Sequence, residues 1–147
     1  RMDNVINDFR GEYRWLSNFW FCKFTWRGMT WDCTERAYMW AKSDNPEDKA
    51  SVLAPTTFKD IKAAGSRVQL RDDWEDIKDN IMYEVVRAKF FQNPVLAEKL
   101  LATGDQELVE GNTWGDTYWG VCNGVGKNML GKILMRVRQE LIASKRI

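Results

Sequence analysis

Residues 31–42 read WDCTERAYMWAK, with Glu35 and Lys42 seven apart. At about 100° per residue, seven steps fall only about 20° short of two helical turns. The spacing therefore predicts one helix with an acid and a base on the same stripe and Tyr38 and Trp40 on other sides. The pair has two readings: a partly exposed charged pair on a helix edge, or an acid and an amine turned to a pocket. Thr34 reads as the helix cap. Just upstream, FWFCKFTWRGMTW (19–31) alternates aromatic and polar residues, which predicts short strands around a turn at Arg27-Gly28.

Downstream the pattern is helical. Pro46, after Asn45, opens a short helix. TTFKDIKAAG (56–65) is another, with a Thr cap and Gly65 as its stop. RDDWEDIKDNIMYEVVRAKFFQN (71–93) is the longest. It has an Asp cap, an acidic first turn, Arg87 and Lys89 near its end, and an apolar stripe of Ile77, Ile81, Val85, Ala88 and Phe91. PVLAEKLLATG (94–104) runs from Pro94 to Gly104, and a last helix runs from about Lys127 to Ser144. The expected fold is α+β, predominantly helical with a small antiparallel sheet and no parallel pairing. No linker or repeat divides the 147 residues, so 1–147 reads as a single domain.

Composition excludes several functions. Lys plus Arg number 22 against 21 Asp plus Glu, which is not the footprint of a duplex-DNA binder. A small nucleotide or an opened strand stays open as a ligand. Cys22, Cys33 and Cys122 form no metal spacing and read as reduced thiols of a cytoplasmic protein. No run approaches the ~20 apolar residues of a membrane span, and RMDNVINDF lacks signal-peptide character. Histidine is absent, which removes Ser-His-Asp and Cys-His triads and histidine metal sites. Chemistry falls to carboxylates, lysine, tyrosine or cysteine. The eight tryptophans are either core or the walls of a pocket for a flat ligand.

The stretch GNTWGDTYWGVCNGVGKNMLG (111–131) holds six of the ten glycines. It is neither a P-loop, since Asn128 stands where Ser or Thr belongs, nor GxGxxG, since Met129 replaces the third glycine. It leads into a helix near Lys127, either as an anion site at a helix N-terminus or as a tight loop on the core. Asp116, in WGDTYW, either caps backbone amides or is a carboxylate in an aromatic setting with a raised pKa.

Several segments, read in order, resemble one family: FRGEYRWLSNF (9–19), TERAYMWAK (34–42), RDDWEDIKDNIM (71–82), AKFFQNP (88–94), LLATGDQELVEGN (100–112), WGDTYWGV (114–121) and GKNMLGKILMRVR (126–138). Together they resemble the YbiA-like NADAR family, over nearly the whole chain. The resemblance implies hydrolysis of N-glycosidic bonds. The implied substrate is ADP-ribose on guanine in nucleic acid, modified or single-stranded. The first alternative is a ribosylamino-pyrimidine phosphate of riboflavin synthesis, and the second is a non-catalytic module for ADP-ribose or NAD. It implies no cofactor, and no ligand cluster asks for a metal. The implied catalytic residues are Glu35, Lys42 and Asp116. Glu35 or Asp116 would stabilise positive charge at the sugar C1′, and Lys42 would hold a phosphate or attack C1′ to form an imine. The implied substrate-binding residues are Ser17, Asn18, Phe19, Tyr38, Trp74, Trp119, Gly120 and Asn128. Trp74 and Trp119 would wall the base, Ser17, Asn18 and Asn128 would bond ribose or phosphate, and Gly120 would let backbone approach. Arg36 stands where the family carries histidine and would bring a fixed positive charge. Arg136, Arg138, Lys145 and Arg146 make the C-terminus mildly basic, which suits nucleic acid.

Overall fold

A computed structural model of the chain describes residues 4–145; Arg1–Asp3, Arg146 and Ile147 lie outside the described residues. The chain divides into two compact units, one from Asn18 to Lys89 and one joining the chain up to Ser17 with the stretch from Phe90 onward.

The first unit opens with a hairpin of β1 (Phe24–Trp26) and β2 (Met29–Trp31), antiparallel with Phe24 opposite Trp31. Arg27 and Gly28 both take positive φ, 51° and 75°, the twist a two-residue hairpin needs. Three short helices follow: α1 (Thr34–Ala41), α2 (Pro46–Leu53) and α3 (Phe58–Arg67). Asn45 caps α2 by accepting from the Glu47 and Asp48 amides, and Thr57 caps α3 by accepting from Asp60. Two expectations fail at helix ends. Thr34 is the first residue of α1, not its cap; its hydroxyl donates to Asn18 Oδ1 at 2.8 Å. Gly65 does not stop α3, which runs on to Arg67 with Gly65 buried inside it.

The long helix α4 (Trp74–Phe91) differs from its predicted stripe. Ile81 and Val85 are buried, but Ile77, Ala88 and Phe91 are only half-buried. The buried side runs through Trp74, Ile81, Met82, Val85, Val86 and Lys89. Lys89 lies four residues past Val85 and is 1% exposed, so it does not serve the helix C-terminus from solvent. Of the two aspartates ahead of α4, Asp73 takes the Arg71 guanidinium at 2.6 and 3.1 Å.

The second unit holds α5 (Pro94–Ala102) and α6 (Met129–Ser144) with two small parallel pairs. β3 (Val5–Ile6) lies beside β4 (Glu107–Leu108), and β5 (Gly111–Asn112) beside β6 (Val121–Cys122). The small antiparallel sheet expected from the sequence is the β1–β2 hairpin, and the two parallel pairs correct only the expectation that no strands pair in parallel. Each pair joins segments separated by a crossing connection rather than a tight turn, and two-residue strands leave too little alternation to read from sequence. The basic residues near the C-terminus are engaged within the chain: Arg138 is buried and donates to Thr103 Oγ1 at 2.8 Å, Arg136 pairs with Glu140 and Lys145 with Glu98. Arg146 lies outside the described residues. Among the described residues no helix is long and apolar enough to cross a membrane.

Burial holds the Lys89 ammonium down at about 8, partly offset by the nearby Cys22 and Cys33 thiols. Above pH 8 the native chain has released a proton that the unfolded chain keeps, so stability rises with pH. From about pH 8 upward the Cys33 thiol, pushed up from 9.0 to about 12, works in the opposite sense. Chemical denaturation at pH 8 and 9 is expected to show a change in stability about 1 kcal/mol more favourable in the wild type than in Lys89→Met. Equal changes in both proteins would remove Lys89 as the cause.

Candidate active site

Helix α1 builds the candidate site from inside a packed unit. Thr34, Glu35, Arg36, Ala37, Tyr38 and Ala41 are all buried. Glu35 is 6% exposed, and its amide donates to the Asn18 carbonyl at 3.3 Å. Asn18 thus braces the start of α1 twice, through Thr34 Oγ1 and Glu35 N, with its Nδ2 at 3.5 Å from Met82 Sδ. The implied role of Asn18 was a bond to substrate; its observed bonds position the helix that carries Glu35. Phe19 packs edge-on to Phe58.

Lys42 sits at the C-terminal end of α1, half-buried. Its Nζ donates to the Gly65 carbonyl at 3.1 Å and lies 3.7 Å from Met39 Sδ. Burial lowers the Lys42 pKa from the ordinary lysine value, and the charge of Glu35 raises it. The two groups predicted to share a stripe therefore feel one another. Tyr38 and Trp74 are both buried, their rings 5.1 Å apart. Trp74 is core as well as a candidate wall.

Arg36 does not bring a spare charge to Glu35. Its guanidinium is paired with Asp32 at 2.9 and 3.2 Å and donates to the Val52 and Leu53 carbonyls at the end of α2. One step along a helix is about 100°, which turns Arg36 to another face. A cavity of about 640 Å³ opens there, lined by Phe21, Lys23, Trp31, Asp32, Arg36 and Pro55 among others, and neither Glu35 nor Lys42 is on its wall.

In the other unit, the glycine-rich stretch is clipped by side-chain amides. Asp116 Oδ1 accepts from the Tyr118 and Trp119 amides at 3.1 and 2.9 Å, the capping arrangement. Asn112 closes on the Asp116 backbone from both sides, accepting its N–H at 3.0 Å and donating to its carbonyl at 2.9 Å. Asn128 spends both ends of its amide on backbone, accepting from Glu110 N and donating to Leu108 O at 2.9 Å each. Its implied bond to ribose or phosphate has no such support. The α6 N-terminus is not an open anion site either. The amides of Lys127, Asn128, Met129 and Leu130 donate to the carbonyls of Thr117, Gly120, Tyr118 and Trp119. Gly120 is buried, and a side chain there would strike the Glu110 carbonyl and carboxylate. Its close approach is to this loop. Trp119 is half-buried with its ring across Tyr118, and Ser17 is half-buried at the end of a 3₁₀ stretch, Gly11–Leu16.

The implied residues thus fall in two sets. Asn18, Phe19, Glu35, Tyr38, Lys42 and Trp74 belong to the unit Asn18–Lys89; Ser17, Asp116, Trp119, Gly120 and Asn128 belong to the other. Sequence reasoning missed Asn112, Met39 and the Gly65 carbonyl. Only the Asn112 to Asp116 interval, short and inside a glycine-rich loop, was a usable signal. Among the described residues no three His, Cys, Asp or Glu side chains converge to hold a metal.

Residues 7–142 match the family model described as NADAR domain. The chain is 34% identical over 149 residues to N-glycosidase YbiA of Escherichia coli, covering 97% of this chain and 92% of that one. It is 40% identical over 129 residues to a riboflavin biosynthesis protein of Vibrio vulnificus, of whose length it spans 35%. The NMR structure of E. coli YbiA superposes with a TM-score of 0.87 at 32% identity, covering 96% of this chain and 86% of that one.

Asp116→Asn keeps an oxygen for the Tyr118 and Trp119 amides, and Asp116→Ala keeps none. Thermal melting should leave the Asn protein near wild type and lower the Ala protein by about 1–2 kcal/mol. Equal melting of the two would show that the carboxylate oxygen does not hold the loop.

Proposed function

The chain belongs to the NADAR family, and from that premise we propose that it hydrolyses N-glycosides, with Glu35 and Lys42 at the centre of the reaction. The carrying observation is an acid and an amine on one buried helix, the amine with its pKa lowered by burial. Breaking a C1′–N bond builds positive charge at the sugar carbon, which a carboxylate such as Glu35 stabilises. A lysine with a lowered pKa is neutral part of the time and can act as a nucleophile. In the imine route the sugar ring opens, Lys42 Nζ bonds to C1′, and the base leaves on its own nitrogen with a proton. Water then adds to C1′, releases the sugar as its aldehyde and restores the amine. One water is consumed overall. Tyr38 and Trp74, on the same unit, supply flat walls for the base.

The first substrate is ADP-ribose on guanine in single-stranded or modified nucleic acid. The ribosylamino-pyrimidine phosphate has its own support, because a relative is named for riboflavin biosynthesis, and the engaged basic residues of α6 withdraw a reason to prefer nucleic acid. Both substrates offer a phosphorylated ribose whose C1′ bears a base nitrogen. No cofactor enters the scheme. Three free thiols suit a reducing, cytoplasmic setting.

Both substrates should be tested with wild type, Glu35→Gln and Lys42→Ala. Wild type is expected to release the sugar from one of them, and each variant to lose about 10²-fold or more in rate. Borohydride added during turnover should fix the sugar on Lys42. Full activity in Lys42→Ala would end the imine route. Binding of ADP-ribose with no turnover of either substrate would make the chain a binding module.

A further inference from the structure

We propose that Gly65 and Met39 are the positioning residues of Lys42, holding its amine at one spot against the last turn of α3. The inference rests on Lys42 as the reacting amine and names what keeps it there.

Carbonyls in the last turn of a helix lack an amide four residues on. Gly65 O would look to residue 69, but the Gln69 amide donates to Asp48 Oδ2 at 2.9 Å. Lys42 Nζ takes the Gly65 carbonyl instead, at 3.1 Å. A cation is favoured at that end of a helix. Met39, three residues before Lys42 on α1, lays its sulfur 3.7 Å from the same nitrogen. A thioether is a weak acceptor and a good filler, so it keeps water off Nζ without binding the proton strongly.

Gly65 is the joint between the two. A Cβ at Gly65 would overlap Met39 Sδ and Cγ. Any other residue there must push Met39 or α3 away, and Nζ would lose a neighbour. The backbone end of Lys42 is held as well: its amide donates to Met39 O at 3.3 Å and its carbonyl accepts from Arg71 N at 2.9 Å.

Glu35 on α1 is the charged group that acts on the amine. Three other charged groups nearby are engaged elsewhere. The Arg71 guanidinium meets Asp44 and Asp73, Asp48 of α2 bonds Ser43 and the Gln69 amide, and Lys49 donates to the Trp40 carbonyl. Packing by Met39 and Gly65 therefore sets how much water reaches Nζ, and burial is the larger cause of its lowered pKa.

The test reads Lys42 directly, without substrate. Folded protein is pulse-acylated with acetic anhydride across a pH series, and the Lys42 peptide is quantified by mass spectrometry. In wild type the labelling midpoint should lie below that of exposed lysines. Gly65→Ala and Met39→Ala should each move it up toward the exposed value, while Met39→Leu, which keeps the packing, should leave it near wild type. In hydrolysis, kcat should fall about ten- to a hundredfold in the first two, with a smaller change in KM. If Gly65→Ala does not fold, Met39→Ala decides. A folded Met39→Ala protein with the wild-type labelling curve overturns the proposal. A shifted curve with full activity in Lys42→Ala upholds the positioning and overturns Lys42 as the reacting amine.

Discussion

A helix that carries an acid, a guanidinium and an amine into a packed interior must find each of them a partner. Burying an unpaired charge costs far more than a fold of this size can spare. Helix α1 has almost no solvent face, and the first unit is arranged to meet that demand. The end of α2 offers its carbonyls to Arg36, with Asp32 beside them. The end of α3 offers the Gly65 carbonyl to Lys42. Asn18 braces the first turn, where Glu35 leaves the backbone. Two helix C-termini thus serve two cations, the favourable pairing for the helix dipole.

The second unit meets a different demand. Its strands are two residues long and cannot satisfy a glycine-rich chain by ladder bonds alone. Asn112, Asp116 and Asn128 supply the missing partners from side chains. The amides that would have welcomed an anion are consumed in the same knitting. What the loop offers is a rigid frame that fixes Trp119 and Asp116, not a phosphate cradle.

These two arrangements hold their polar groups in opposite ways. The knitted loop fixes the Asp116 carboxylate on two backbone amides. The amine of Lys42 is held by weaker partners, a lone carbonyl and a thioether. The proposed nucleophile, which would give up a proton and then bond to carbon, is better held this way than by a tight ion pair. Arg36, locked to Asp32, keeps its charge on another face of the helix.

Much of the local structure was legible in the residues. The Arg27-Gly28 turn, the Asn45 and Thr57 caps, the proline starts and the seven-residue interval from Glu35 to Lys42 all act within a few positions of themselves. Local steric and hydrogen-bond rules suffice for such features. The failures share one cause. Gly65 looked like a stop until Met39 filled the space beside it. Lys89 looked like a C-terminal cation because a solvated lysine is the ordinary case, while burial is decided by what packs on that side of α4. The partners of Asn18 and Asn128 within the chain lie at sequence distances no periodicity encodes. Pairing of two-residue strands left no alternation to read. The sequence by itself determined the helices, the Asn45 and Thr57 caps and the acid and amine on one stripe, because these depend on neighbours along the chain. Only the tertiary structure decided which polar groups face one another and how dry each becomes, because desolvation and long-range bonds depend on neighbours in space.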